Sequence, residues 1–213
     1  MDASQRPGGG EPGFEPSRPL ESFVETARRV AVEPAAFFRG VTNEDRVLPP
    51  MVFAIICGVV SAALGIAVEF LAPVDLGPFG GEAFGPPEAV SGQFGGLALA
   101  GIALAFVVLA PLFIVLGLYI GSFIYQILVR IVVGRDNAGY WATFKIYAYT
   151  SVVSLLSWLP VVGFLATLYG YYLVFVAVRE AHDTTPARAA IVAAIPLLFF
   201  AASLASGFLA AGA

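Results

Sequence analysis

From Pro50 to Ala213 apolar residues run in long blocks, and polar residues gather almost only between the blocks. A helix needs about 20 apolar residues to cross about 30 Å of hydrocarbon. The pattern predicts an all-α polytopic membrane bundle of five spans at 50–72, 108–132, 141–158, 163–178 and 189–209. The stretch Leu97–Val133 holds 37 residues. That is about 55 Å of helix, too long for one plain crossing and too short for two with a turn. One crossing at 108–132 is expected, with 97–107 as a helical extension, a kinked segment at Pro111 or a partial re-entry. Trp141 and Trp158, the two tryptophans of the chain, bracket the third span. The short turn Leu159–Val162 makes spans three and four antiparallel neighbours. Pro196 is a tolerated kink in span five.

Ahead of the spans the pattern differs. Residues 1–18 are rich in Gly, Pro and charge, as a disordered tail is. From Leu20, apolar Phe23, Val24, Ala27, Val30 and Ala31 recur at helical spacing, with Glu21, Glu25, Arg28 and Arg29 off that stripe. Residues 19–49 therefore predict amphipathic juxtamembrane helices, broken at Pro34. They lie in the membrane interface or pack on the cytoplasmic ends of the bundle. The loop 73–96 has seven glycines, four prolines, three acids and no base.

Charge orients the bundle. Ten of the eleven Lys and Arg residues lie in the N-terminal tail, at 130–135 or at 179–188. Under the positive-inside rule, five spans place the N-terminus in the cytoplasm and the C-terminus outside. Only 12% of the residues are charged and 59% are hydrophobic. A soluble domain carries about 25% charged residues, so lipid has to cover much of this surface. The net charge of −4 excludes a basic nucleic-acid face. The first span serves as the targeting signal, because the polar N-terminus has no apolar signal core.

Candidate chemistry is sparse. Lys145 is the one base inside a predicted span, near the cytoplasmic end, where its stem can snorkel. With Trp141 and Trp158 it forms the set of candidate interface anchors. Glu69, the one acid inside a span, sits near the opposite end. Gly117 with Gly121, and Ser61 with Gly65, repeat the small-xxx-small spacing that lets helices approach closely in lipid. Tyr147, Tyr149, Thr150, Ser151, Ser154 and Ser157 make span three the most polar helix, and it is expected to face the interior. The lone Cys57 cannot form an internal disulfide. His182 with Asp183 is too small a donor set for a metal. Asp183, Thr184 or Thr185 is a ready cap for span five. Asp75, Glu82 and Glu88 are scattered through the loop. No catalytic, cofactor-binding or metal-ligating constellation is predicted.

Four stretches resemble the Yip1 family of multi-pass membrane proteins. They are Glu33-Pro-Ala-Ala-Phe-Phe-Arg39, Gly139-Tyr-Trp-Ala-Thr-Phe-Lys-Ile-Tyr-Ala-Tyr149, Leu159-Pro160 with Gly163, and His182-Asp-Thr-Thr-Pro-Ala-Arg-Ala189. The resemblance covers about residues 33–210. It implies a five-span helical fold with a cytoplasmic N-terminus. Eukaryotic members act in vesicle traffic with Rab GTPases, but their Asp-Leu-Tyr-Gly-Pro type segment is missing before span one. Asp75-Leu-Gly-Pro78 follows span one instead, so no Rab role is carried over. The Ala-, Val- and Gly-rich composition looks like the prokaryotic branch, which points to a bacterial or archaeal plasma membrane. The expected function is a non-enzymatic scaffold or adaptor whose partners are the bilayer and other membrane proteins. The alternative is a transporter or channel subunit with span three lining a path.

Overall fold

A computed structural model describes residues 13–41, 46–71 and 96–211. The first twelve residues of the tail and loop residues 72–95, with Asp75, Glu82 and Glu88, lie outside the described residues. So does the Glu69 side chain.

The described chain is all-α. Two short helices, α1 (Pro19–Val32) and α2 (Pro34–Val41), precede α3 (Leu48–Leu71) and the 37-residue α4 (Gly96–Val132). Then come α5 (Tyr140–Thr150), a 3-10 helix (Ser151–Leu156), α6 (Pro160–Ala181) and α7 (Pro186–Ala211). Pro19, Pro34, Pro160 and Pro186 all open helices, where a missing N–H costs nothing. Pro160 therefore begins α6 inside the stretch expected to be a turn, and the chain reverses at 157–159 instead. Pro111 and Pro196 lie within continuous helices. Residues 97–107 are a helical extension of α4.

Among the described residues four helices, not five, are long and apolar enough to cross a membrane: α3, α4, α6 and α7. The expected third span is the one that fails. Its 11-residue α-helix stops at Thr150 and continues only as a six-residue 3-10 helix. The cause is local. Thr150 Oγ1, Ser151 Oγ and Ser157 Oγ donate to the carbonyls of Tyr147, Ala148 and Ser154, each three residues back. Hydroxyls that bond their own backbone compete with the α-helical ladder, and tighter three-residue spacing follows. A reading based on hydropathy counts apolar residues and is blind to that competition. The five-span threading, with an N-terminus in the cytoplasm and a C-terminus opposite, rested on this helix and lapses with it.

The broken segment occupies the middle of the bundle. In α5, Ala142 through Ile146 and Ala148 through Thr150 are buried. Helices α3, α4 and α6 pack around it, α2 packs on α6, and α7 packs on the outside of α6. The core gathers round Tyr149, which is 0% exposed. Its ring meets Phe37 edge-on at 4.9 Å and Phe53 at 5.4 Å. The outer helices turn Leu112, Phe113, Leu116, Ile120 and Phe123 of α4 and Leu198 and Phe199 of α7 outward. In a membrane protein these are lipid-facing positions, where burial in hydrocarbon replaces burial in protein.

Candidate functional site

One end of the bundle collects nearly all its polar chemistry. Here α4 ends, α5 begins, α6 ends and α7 begins. The turn between α4 and α5 needs two glycines with left-handed backbone, Gly134 (φ 108) and Gly139 (φ 85). Asn137 ties it together: Nδ2 donates to the Gly134 carbonyl at 2.6 Å, and Oδ1 accepts from the Gly139 N–H at 2.9 Å.

From Asn137 a chain of hydrogen bonds runs inward with a fixed direction. The Ala138 N–H donates to His182 Nδ1 at 3.1 Å. That nitrogen must therefore be the unprotonated one, and the proton sits on Nε2. Nε2 lies 3.2 Å from Thr143 Oγ1, so it donates there. Thr143 Oγ1 in turn donates to Gln126 Oε1. Gln126 Nε2 donates to Asn137 Oδ1 at 2.9 Å. The amide-to-amide order closes a loop through α4, the turn, α5 and the end of α6. His182 is 3% exposed, and burial pushes its pKa down to about 4. A second ring proton would face the Ala138 N–H, which agrees with a neutral imidazole. The sequence offered His182 only as half of a weak His–acid pair. Asp183 takes no part in the knot, and its backbone has a positive φ of 45. Thr185 is the residue that caps α7, accepting from the Arg188 N–H.

Beside the knot, α2 is clamped to the bundle. Arg39 donates to Glu180 Oε2 through Nε at 3.0 Å and a terminal nitrogen at 2.6 Å. Arg179 holds the other carboxylate oxygen of Glu180. Lys145 is 3% exposed, and its Nζ donates to the Val41 carbonyl at 3.3 Å, at the end of α2. Phe37 and Phe38 are fully buried. The stem of the clamp is thus apolar and its rim is charged.

The remaining small and aromatic positions are distributed along the bundle. A Cβ on Gly121 would stand 2.5 Å from Tyr147 Cζ, whereas one on Gly117 would meet nothing within 4 Å. Ser61 Oγ and Ser157 Oγ are 2.9 Å apart, joining α3 to the 3-10 segment. A Cβ on Gly65 would lie 3.9 Å from Trp158 Cβ. Trp158 donates from Nε1 to its own Leu155 carbonyl, and Trp141 is half exposed.

The stretch Gly139–Tyr149 thus meets Glu33–Arg39 through Tyr149 and Phe37, and the start of His182–Ala189 through Thr143 and His182, although about a hundred residues separate the first two in the chain. The Yip1 domain family matches residues 28–207, most of the chain. The chain belongs to the Yip1 domain family. This Yip1-domain protein is a polytopic helical membrane protein of a non-catalytic family. No curated protein and no solved structure matches it. Among the described residues no group of three His, Cys, Asp or Glu could hold a metal ion.

Proposed function

We propose that this Yip1-domain protein is a membrane adaptor that presents α1 and α2 to other membrane proteins. The observation that carries the reading is the placement of α1. Its inner face, Ser22, Thr26 and Val30, is buried on the bundle, with Phe23 against Phe53 at 5.1 Å. One edge of the apolar stripe points away: Leu20 is 83% exposed and Val24 66% exposed, while Phe23, Ala27 and Val30 pack on the core. The helix is held from both sides, through Tyr169 Oη on the Ala31 carbonyl and through Arg29 over the Phe37 ring. A rigidly mounted helix with an outward apolar edge is suited to recognition in the interfacial layer. A prokaryotic plasma membrane fits the composition.

Photo-crosslinkers at Leu20 and Val24 in intact membranes test this. Discrete protein adducts from these sites, absent from crosslinkers at Ser22 and Thr26, are the expected result. Adducts with lipid alone would remove the adaptor role.

The break at Thr150–Ser151 favours a second reading, a transporter or channel subunit, because interrupted helices host many substrate sites. Against it, residues 146–157 contain no Asp, Glu, Lys, Arg or His. Tyr149, Phe37 and Phe53 fill the space beside the break. Solute flux through proteoliposomes well above that of empty vesicles would favour this reading over the adaptor.

A further inference from the structure

At the basic end a hollow of about 600 Å³ opens between α4 and the turn into α5. Arg130 and Arg135 supply its charge, Gln126 and Asn137 its amides, and Phe123 and Tyr140 its rings. Among the described residues neither guanidinium makes an ion pair or a hydrogen bond within the chain. Other arginines nearby are engaged: Arg39 and Arg179 on Glu180, and Arg188 on the Val133 carbonyl. Asp136 neighbours Arg135 in the chain but does not line the hollow.

We infer that this hollow binds the phosphate of an anionic lipid headgroup. Arginine forks match phosphate oxygens, and basic hollows between membrane helices suit such headgroups. The amides are already oriented. Gln126 Nε2 and Asn137 Nδ2 each spend one N–H in the knot and retain a second. The hollow is also amphipathic along α4. Phe123 precedes Arg130 by seven residues, about 10 Å deeper along the helix. Ile120, Ile124 and Ile127 on the same helix are exposed. Charge at the rim and apolar surface below are what a headgroup and its acyl chains require together. A free phosphate would use only the rim. The inference does not rest on the adaptor reading, which concerns α1 and α2.

Native mass spectrometry of the full chain in neutral detergent tests it, with phosphatidylglycerol and phosphatidylcholine offered in equal amounts. Phosphatidylglycerol is expected to be retained about tenfold over phosphatidylcholine, and the double variant Arg130→Gln/Arg135→Gln to lose that preference. Arg130→Lys/Arg135→Lys should recover part of it, and Arg28→Gln on α1 should leave it unchanged. Inorganic phosphate bound with the same dependence on Arg130 and Arg135, with no lipid retained, would keep the anion site and assign it to a soluble phosphate. Equal retention of both lipids overturns the inference. So does an undiminished preference in a double variant with an unaltered melting temperature.

Discussion

Helices α4 and α5 are neighbours with opposite designs. The first is 37 residues of continuous apolar helix whose surface faces mostly outward. The second is an 11-residue helix, followed by a 3-10 turn, and is mostly buried. Lipid accepts any apolar side chain, so the outward face of α4 is specified by composition and length alone. The surroundings of α5 are other side chains, and they demand particular shapes and hydrogen bonds. Several hydroxyls and rings are tolerated there because they find partners, as Thr143, Thr150, Ser151 and Tyr149 do. The price is a helix that no longer runs unbroken. Adjacent segments can therefore differ entirely in what they contribute.

That contrast breaks most visibly at the aromatic centre. Tyr149→Ala removes a fully buried ring and the acceptor of the Phe14 N–H. It should cost about 3–5 kcal/mol, whereas Phe113→Ala on the exposed face of α4 should cost far less. Thermal unfolding in detergent compares the two. Equal losses would mean that α4 is as tightly packed as α5.

Acid should act on the knot next. The folded pKa of His182 is depressed to about 4, from an ordinary 6.5. The unfolded chain therefore binds the extra proton first. Stability should be full above about pH 6.5 and fall as pH drops towards 4, by on the order of 3 kcal/mol in all. Melting temperatures between pH 7.5 and pH 4.5 read this out. His182→Gln should flatten the profile, and an unflattened profile would assign the acid sensitivity to other groups.

The seam between the two helices is sharper still. Gly121→Val drives a methyl-bearing carbon into the Tyr147 ring, and about 1–3 kcal/mol of overpacking should follow. Gly117→Val, one turn away and facing open space, should change the melting temperature little. Similar effects at both positions would place a further helix or a second copy against Gly117. The smallest effect belongs to Ser61→Ala. It removes the hydroxyl pairing with Ser157 and should lower stability by about 0.6 kcal/mol, since Ser157 keeps its bond to Ser154.

Legibility followed the same division. Helices α3, α6 and α7 begin and end within a few residues of their expected spans, because hydrophobic length and helix-opening prolines are local signals. The pairing of Arg39 with Glu180 and the polar knot were not legible. Gln126, Thr143 and His182 carry no spacing rule that joins them, and Gln126 lies within an apolar run. The apolar stripe of α1 was visible, but not that Leu20 and Val24 would stay exposed beside covered Phe23, Ala27 and Val30. Ser22 turned inward because the backbone N–H and carbonyl of Glu15 give its hydroxyl partners there.

By itself the amino-acid order determined that hydrocarbon surrounds much of this protein, that it is helical, and that its positive charge collects at one end. Those properties depend on transfer free energies summed over long blocks, and sums survive ignorance of neighbours. Only the tertiary structure decided that the third apolar block breaks, that α2 is clamped by charge and plugged by aromatic rings, and that Arg130 and Arg135 line an amphipathic hollow. Those outcomes depend on which single atoms meet across helices, and contacts between distant residues leave no periodic trace in the chain.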